Sequence, residues 1–181
     1  MKRNEFLKSV CKTGLCSCML MNSLLTKLKA DEKEPEDWRI GFMQYRFIKL
    51  YEILNENIDP DLRNKIFKSL GRECAGQYED HYAKYAGNVK GMMDNLKEQW
   101  LEYYDYDEKS MTLTMIGKPT GECGCPFIGK NTMDADFCEC TIGHQQKMFE
   151  TIFQTDVEAS VVESVLRGSD RCSFRVKVKK V

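Results

Sequence analysis

The sequence predicts an α+β domain in which N-terminal helices pack on an antiparallel sheet and the C-terminal half runs β-α-β-β. Apolar residues recur at spacings of three and four from Trp38 to Tyr103, which is typical of amphipathic helices. The period then changes to two at Met111–Ile116 and again near the C-terminus, which is typical of strands. Helices first, then a strand, a loop, a helix and a hairpin are the order expected of an α+β fold.

Length and charge limit the domain count and the class of partner. The chain has 181 residues, which favours a single domain with a sizeable core. We assign residues 31–181 to that domain and treat residues 1–30 as a separate segment. The formal net charge is −1, and no block of like charges occurs. Nucleic acid is therefore excluded as a partner, and the predicted partner is a small-molecule ligand or substrate. The sequence leaves the oligomeric state open.

The first residues, MKRNEFLK, resemble a bacterial twin-arginine export signal, but Asn4 stands where the second arginine belongs. The apolar stretch that follows to Leu25 is interrupted by Lys12 and is shorter than the ~20 residues that a membrane span needs. We expect no stable membrane span. Residues 1–30 are either a degenerate twin-arginine-like signal or a retained N-terminal helix. The predicted location is the cytoplasm, with twin-arginine export as the alternative.

The helical half begins with an amphipathic helix from Trp38 to about Leu54. Asp59-Pro60 is an N-cap followed by a proline at the first helical position, so a second helix starts there. We expect this helix to end at Gly71, with a core face formed by Leu62, Ile66 and Leu70.

A third helix is predicted from about 72 to 86, and it would place a thiol, an imidazole and two phenols on one face. Cys74, Tyr78 and His81 are candidate ligand-binding residues on that face. The alternative is a buried aromatic face in which His81 is hydrogen-bonded. A fourth helix begins at Val89 and is expected to end near Tyr103, in an acidic turn at residues 104–108.

The strands follow from alternation. In Met111–Ile116, the side chains of Met111, Leu113 and Met115 are expected to face the core. Residues 157–166 and 172–178 are predicted to form the two strands of a hairpin joined by a turn at 167–170. Cys172 falls on the apolar side of the last strand and is a further candidate ligand-binding residue.

Nine cysteines are an odd number, so a fully disulfide-bonded monomer is excluded. Two Cys-x-Cys pairs flank a loop, Cys123 with Cys125 and Cys138 with Cys140. Four thiolates suit zinc or another transition metal, although structural zinc sites usually have two residues between paired cysteines. His144 or Cys172 are substitute ligands, and unligated thiols are the alternative.

Nucleophilic chemistry is a second interpretation of the same segment. Cys140 would lie just before a helix that starts at 141–143, where the helix N-terminus favours a thiolate. His144 follows four residues later and would act as its base. Cys140 and His144 are therefore the candidate catalytic residues.

Several segments of the C-terminal half carry a family resemblance: FCECTIGH (137–144), Phe149, Phe153, VESVLRG (162–168) and CSF (172–174). They resemble the L-2-amino-thiazoline-4-carboxylic acid hydrolase family, loosely over 60–181 and most specifically over 137–176. The Cys-x-x-Gly helix, the valine-rich strand and the Gly-x-x-x-Cys-x-Phe close also resemble 4-vinyl reductase type small-molecule-binding domains.

The resemblance implies a ligand pocket between helices and an antiparallel sheet. It also implies hydrolysis of a C–N bond other than a peptide bond, with opening of a small thiazoline ring. The alternative function is a non-catalytic domain that binds a small molecule or a metal through a Cys-rich loop. A fold alone does not decide between them.

Overall fold

The computed structural model describes residues 38–125, 128 and 133–179. In chain order the elements are α1 (Trp38–Asn57), α2 (Pro60–Gly76), α3 (Glu79–Ala83), α4 (Val89–Gln99), β1 (Leu101–Asp107), β2 (Thr112–Gly117), a 3₁₀ turn (Ala135–Phe137), α5 (Cys138–Phe153), β3 (Val157–Glu163), a second 3₁₀ turn (Val165–Arg167) and β4 (Ser173–Val178). The predicted signal or helix at 1–30 lies outside the described residues.

The four strands form one antiparallel sheet in the order β1-β2-β4-β3. Helix α5 packs against β3 and β4, and α2 packs against α5. The main core lies between the helices and the sheet and includes Met92, Met93, Leu113, Met115, Phe149, Ile152, Phe174 and Val176. The predicted α+β class, with helices on an antiparallel sheet, is confirmed. In the part of the chain described, no helix is long and apolar enough to cross a membrane.

Helix α2 begins as predicted but does not end at Gly71. The Asp59 side chain accepts hydrogen bonds from the amides of Asp61 and Leu62, and the helix then continues to Gly76. A Cβ on Gly71 would lie 1.8 Å from the carbonyl oxygen of Cys140 in α5. Glycine at 71 therefore marks a close helix crossing and not a helix end.

The predicted core face of α2 was wrong. Leu62, Ile66 and Leu70 are 51%, 40% and 40% exposed. The buried positions are Arg63, Phe67, Gly71 and Ala75. Both sets of positions recur every four residues along α2, so the sequence pattern does not distinguish them. The close crossing at Gly71 determines that the second set packs against α5.

The predicted helix over 72–86 was also wrong, because α2 ends at Gly76 and a short α3 starts at Glu79. This break changes the phase of the helical repeat. Tyr82 is buried as a result, whereas Tyr78 is 57% exposed.

Strand β1 replaces the predicted end of the fourth helix and its acidic turn. The sequence LEYYDYD does not alternate simply, because the pairing with β2 shifts between Leu101 and Tyr103. Such a bulge places one extra residue in the strand and hides the period of two. Strand β2 and the hairpin of β3 and β4 agree with the prediction, and Leu113 and Met115 are fully buried.

Candidate functional site

Six free thiols are described, and we call them the thiol cluster: Cys74, Cys123, Cys125, Cys138, Cys140 and Cys172. They come from α2, the loop after β2, the first turn of α5 and the residue that precedes β4. A negative charge on Cys123 would raise the pKa of Cys138, Cys140 and Cys172, so Cys123 lies within electrostatic reach of all three. The fold thus brings both Cys-x-Cys pairs and Cys172 into one region.

The start of α5 differs from the sequence prediction. The Asp134 side chain accepts a hydrogen bond from the Asp136 amide, a 3₁₀ turn follows, and α5 begins at Cys138. Cys140 therefore lies inside the first turn of the helix and not before it. Burial raises the pKa of Cys140 to about 12, so this thiol is neutral at pH 7. The helix N-terminus was predicted to lower the pKa of Cys140, but the rise in pKa caused by burial is larger.

Cys138 lies on the side of α5 opposite to Cys140. It is buried against the 3₁₀ turn that precedes β4. Its Sγ donates to Ser164 Oγ at 3.3 Å. Burial raises the pKa of Cys138, and the hydrogen bond with Ser164 opposes that shift. Burial likewise raises the pKa of Cys172, which packs against the main core. Both thiols are held in the neutral form.

His144 lies one turn after Cys140 on α5. Its Nε2 is 3.4 Å from the Tyr82 hydroxyl, and the two rings meet edge to face at 6.2 Å. Burial lowers the pKa of His144 and raises the pKa of Tyr82 to about 12. At neutral pH the pair is therefore an uncharged imidazole beside an uncharged phenol. Tyr82 was missed in the sequence because α3 starts a new helical phase.

The candidate ligand-binding residues do not share one face. Cys74 and Tyr78 are exposed, and His81 is half-buried, with its ring edge to face with Tyr82 and Tyr85. Cys74 lies within electrostatic reach of Cys140, whereas Cys172 lies within electrostatic reach of Cys138. Their roles in binding stay predictions.

An aromatic cluster borders the thiols. Tyr51 of α1, Phe67 of α2 and Phe137 of the 3₁₀ turn have ring centroids 5.2 to 5.8 Å apart. Ile128 and Met133 complete this apolar group, and Cys123, Cys125 and Cys140 pack against it. The surroundings of these three thiols are thus mainly apolar.

A buried guanidinium fixes the 3₁₀ turn to the helices. Arg63 is 4% exposed and donates to Asn55 of α1 and to Asp136. The Tyr51 hydroxyl donates to Asp134 on the same turn. These residues carried no sequence signal of their own, because a charged residue on a helix is normally solvated.

The four predicted metal ligands are near each other, but their donor atoms do not converge. Within residues 38–125, 128 and 133–179, no three His, Cys, Asp or Glu side chains are arranged to hold a metal ion. Neutral thiols must lose protons before they bind zinc. The zinc site over Cys123, Cys125, Cys138 and Cys140 stays a prediction.

A groove of about 650 Å³ lies at one end of the sheet. It is open to solvent and lined by Lys109, Ser110, Thr112, Glu158, Lys177, Val178 and Lys179. None of the residues predicted for the site lines it. Its lining is charged and polar, unlike the apolar lining of most small-molecule sites.

We expect the buried His144 to make stability fall in mild acid. Its pKa is lowered in the folded protein, so the unfolded chain binds a proton first as the pH drops below about 6.5. Stability is then lost down to the folded pKa, by at most about 1.4 kcal/mol per pH unit for one proton. Urea denaturation of His144→Gln between pH 5 and 8 should show a shallower decline.

His81→Gln is the matched control, because the chain has only two histidines and His81 lies half-buried on α3. It should keep the decline of the unmodified protein. Equal pH profiles for all three proteins would contradict the burial of a neutral His144.

The model of a family of unknown function, DUF6144, matches residues 64–181. The chain belongs to this family. The match includes α5, the sheet, and every cysteine of the thiol cluster. No curated protein matches the chain. The similarity to the thiazoline hydrolase family stays a prediction.

Solved structures resemble this chain at low sequence identity, and two of them, with TM-scores above 0.5, share its fold. A trafficking protein particle complex subunit 3 from Naegleria fowleri, covalently bound to palmitic acid, has 12% identity and a TM-score of 0.55, over 80% of this chain and 98% of that one. The phenol-responsive sensory domain of the transcription activator PoxR with phenol has 12% identity and a TM-score of 0.51, over 75% and 74%. A vinyl-4-reductase family protein from Methanocaldococcus jannaschii has 14% identity and a TM-score of 0.39, over 88% and 95%.

Proposed function

We propose that this domain binds a small apolar molecule beside the thiol cluster. The observation that carries the proposal is the position of Cys140, a neutral thiol that packs against the aromatic cluster together with Cys123 and Cys125. A neutral thiol behaves as a small, polarizable apolar group. Apolar and aromatic side chains with a few polar groups are the usual lining of ligand sites.

The fold supports the same proposal. Two proteins that share it are described with palmitic acid and with phenol, which are both largely apolar. Fold analogy alone is weak evidence for function, so the argument depends on the thiols and aromatic rings of this chain. The free thiols fit a reducing compartment, and we propose the cytoplasm as the location.

Direct binding tests the proposal. Calorimetric titration with palmitate and with phenol should show binding of at least one of them to the unmodified protein. Cys140→Phe should weaken that binding at least tenfold, because the larger ring occupies space beside the aromatic cluster. Cys140→Ala should retain it, because alanine leaves that space open. The proposal is wrong if neither ligand binds or if both variants bind equally well.

Hydrolysis of a C–N bond in a small ring is a second candidate. It is favoured by the resemblance over 137–176 and by the placement of Cys140 and His144 one turn apart on α5. Ring opening needs a water nucleophile and a proton for the ring nitrogen, and a neutral His144 is able to act as the base. Turnover of 2-amino-thiazoline-4-carboxylate should fall in both Cys140→Ala and His144→Ala. Undiminished turnover in both would remove these residues from the mechanism.

A bound metal is a separate proposal. Zinc or another transition metal would take thiolates from Cys123, Cys125, Cys138 and Cys140, after loss of their protons and closure of the cluster. Elemental analysis of protein purified without chelator should find about one metal ion per chain. A trace amount would contradict it.

A further inference from the structure

The first two helices carry most of the exposed apolar surface. In the part of the chain that the structure describes, thirteen large apolar side chains are exposed, and ten of these lie on α1 and α2. Eight of the ten, each 40% to 58% exposed, are Ile40, Met43, Tyr45, Leu50, Ile53, Leu62, Ile66 and Leu70. We call these eight residues the α1–α2 face. They include the three residues of α2 that the sequence placed in the core.

The two helices are neighbours, and α1 is only partly covered by the domain. Two residues join α1 to α2, and the Tyr51 ring packs on Phe67 with the centroids 5.2 Å apart. The residues of α1 that pack against the aromatic cluster are Phe47 and others after it. Ile40 and Met43 precede Phe47 at helical spacing and lie on the same side of α1, yet both stay exposed. An apolar side of α1 thus continues beyond the part that packs.

The area of the α1–α2 face suits a protein partner. A large apolar side chain presents about 150 to 200 Å² when fully exposed, so eight of them at about half exposure leave about 600 to 800 Å². The largest apolar patch on a typical monomer is about 300 to 600 Å². Each partner in a stable protein–protein interface buries about 800 Å². The face therefore has nearly the area that a stable dimer needs.

The order of charges along α1 favours a second copy of the chain as the partner. Arg39 and Arg46 lie in the first half of α1 and Glu56 lies in its last turn, while Lys49 and Glu52 pair with each other. The helix dipole disfavours cations near the N-terminus and anions near the C-terminus, so this order gains nothing within one helix. Two antiparallel copies of α1 would instead bring Arg46 towards Glu56 of the partner subunit.

We infer that two copies of this chain associate through the α1–α2 face, with their α1 helices antiparallel about a two-fold axis. Such an interface uses the same patch on both subunits. The formal net charge of −1 does not oppose the association. This inference goes beyond the proposed function and does not depend on ligand binding.

Light scattering after gel filtration should find the unmodified full chain as a dimer at about 100 µM. Leu50→Glu and Ile66→Glu should each weaken the association about tenfold or more, because each places an unpaired charge in the interface. Both positions are exposed in the single subunit, so both variants should keep the circular dichroism spectrum of the unmodified protein. Val162→Glu is the matched control. Val162 is 50% exposed but lies on β3, so this variant should dimerise as the unmodified protein does.

Exchange of charges tests the antiparallel order of the helices. Arg46→Glu and Glu56→Arg should each weaken the dimer, because each places like charges opposite each other. The double variant should restore the association, because opposite charges then face each other again. A double variant that associates no more tightly than either single variant would overturn the antiparallel arrangement.

A measurement on the unmodified protein covers the case in which a variant does not fold. Its Tm should rise with protein concentration, because association stabilises the folded chain. The inference is overturned if the unmodified protein is a monomer at about 100 µM, since residues 1–37 or a different protein would then be the partner of the face. It is also overturned if Leu50→Glu and Ile66→Glu dimerise as well as Val162→Glu does, because the dimer then uses another surface.

Discussion

Alanine at position 71 or 143 should destabilise the protein by more than about 3 kcal/mol. Helices α2 and α5 cross with their backbones in contact at these two glycines. A Cβ on Gly71 would lie 1.8 Å from the Cys140 carbonyl oxygen, and a Cβ on Gly143 would lie 1.9 Å from the Lys68 carbonyl oxygen. Neither oxygen is able to move without a shift of its helix, so the cost exceeds that of ordinary overpacking.

The effect is large against the total stability of a domain, which is about 5 to 15 kcal/mol. Urea denaturation followed by circular dichroism measures it. Gly76→Ala, on the same helix, is the matched control, because a Cβ there meets no atom within 4 Å. It should be neutral or stabilise by about 0.4 to 1 kcal/mol. Equal stability of Gly71→Ala and Gly76→Ala would contradict the close crossing.

The same crossing bears on function. It places the Cys140 backbone against α2, and the Cys140 thiol then packs against the aromatic cluster. A variant that separates the helices is therefore expected to lose ligand binding together with stability. Substitution of Cys74, which is exposed on the same helix, should leave the crossing intact.

The class of the fold and the C-terminal half could be predicted because their signals are local. The alternation in β2 and in the hairpin follows directly from which side chains face the core. The helix crossing and β1 could not be predicted in this way. Gly71 looks the same in sequence whether it ends a helix or contacts another one, and the bulge after Leu101 removes the alternation by which a strand is recognised.

The candidate site was predictable in part for the same reason. Spacing identified the cysteine pairs, and their proximity in space follows from the loop that joins β2 to α5. Burial of Cys140 and His144 depends on residues distant in sequence, such as Tyr82 and Phe67. The pKa of a thiol therefore had to come from the tertiary structure, where desolvation outweighs the helix N-terminus.

Asp136→Asn should destabilise the protein by about 2 to 3 kcal/mol, because it leaves the Arg63 guanidinium buried without a carboxylate. This value lies below the usual cost of breaking a buried ion pair, since Asp136 itself is 57% exposed and water screens it. Arg63→Met should cost less than Asp136→Asn, because methionine fills the same volume with an apolar chain. Urea denaturation of both variants and of the double variant measures the coupling.

In the double variant, Asp136→Asn should add almost nothing to Arg63→Met, because no buried charge remains to be compensated. Glu52→Gln, which removes the partner of the exposed Lys49, is the control and should change stability by less than about 0.5 kcal/mol. Strict additivity of Asp136→Asn and Arg63→Met would refute the ion pair.

Asp136 lies on the turn that leads into Cys138 and Cys140, so its loss should also loosen the thiol cluster. If Asp136→Asn weakens ligand binding and Glu52→Gln does not, the ion pair of Arg63 and Asp136 is connected to the site.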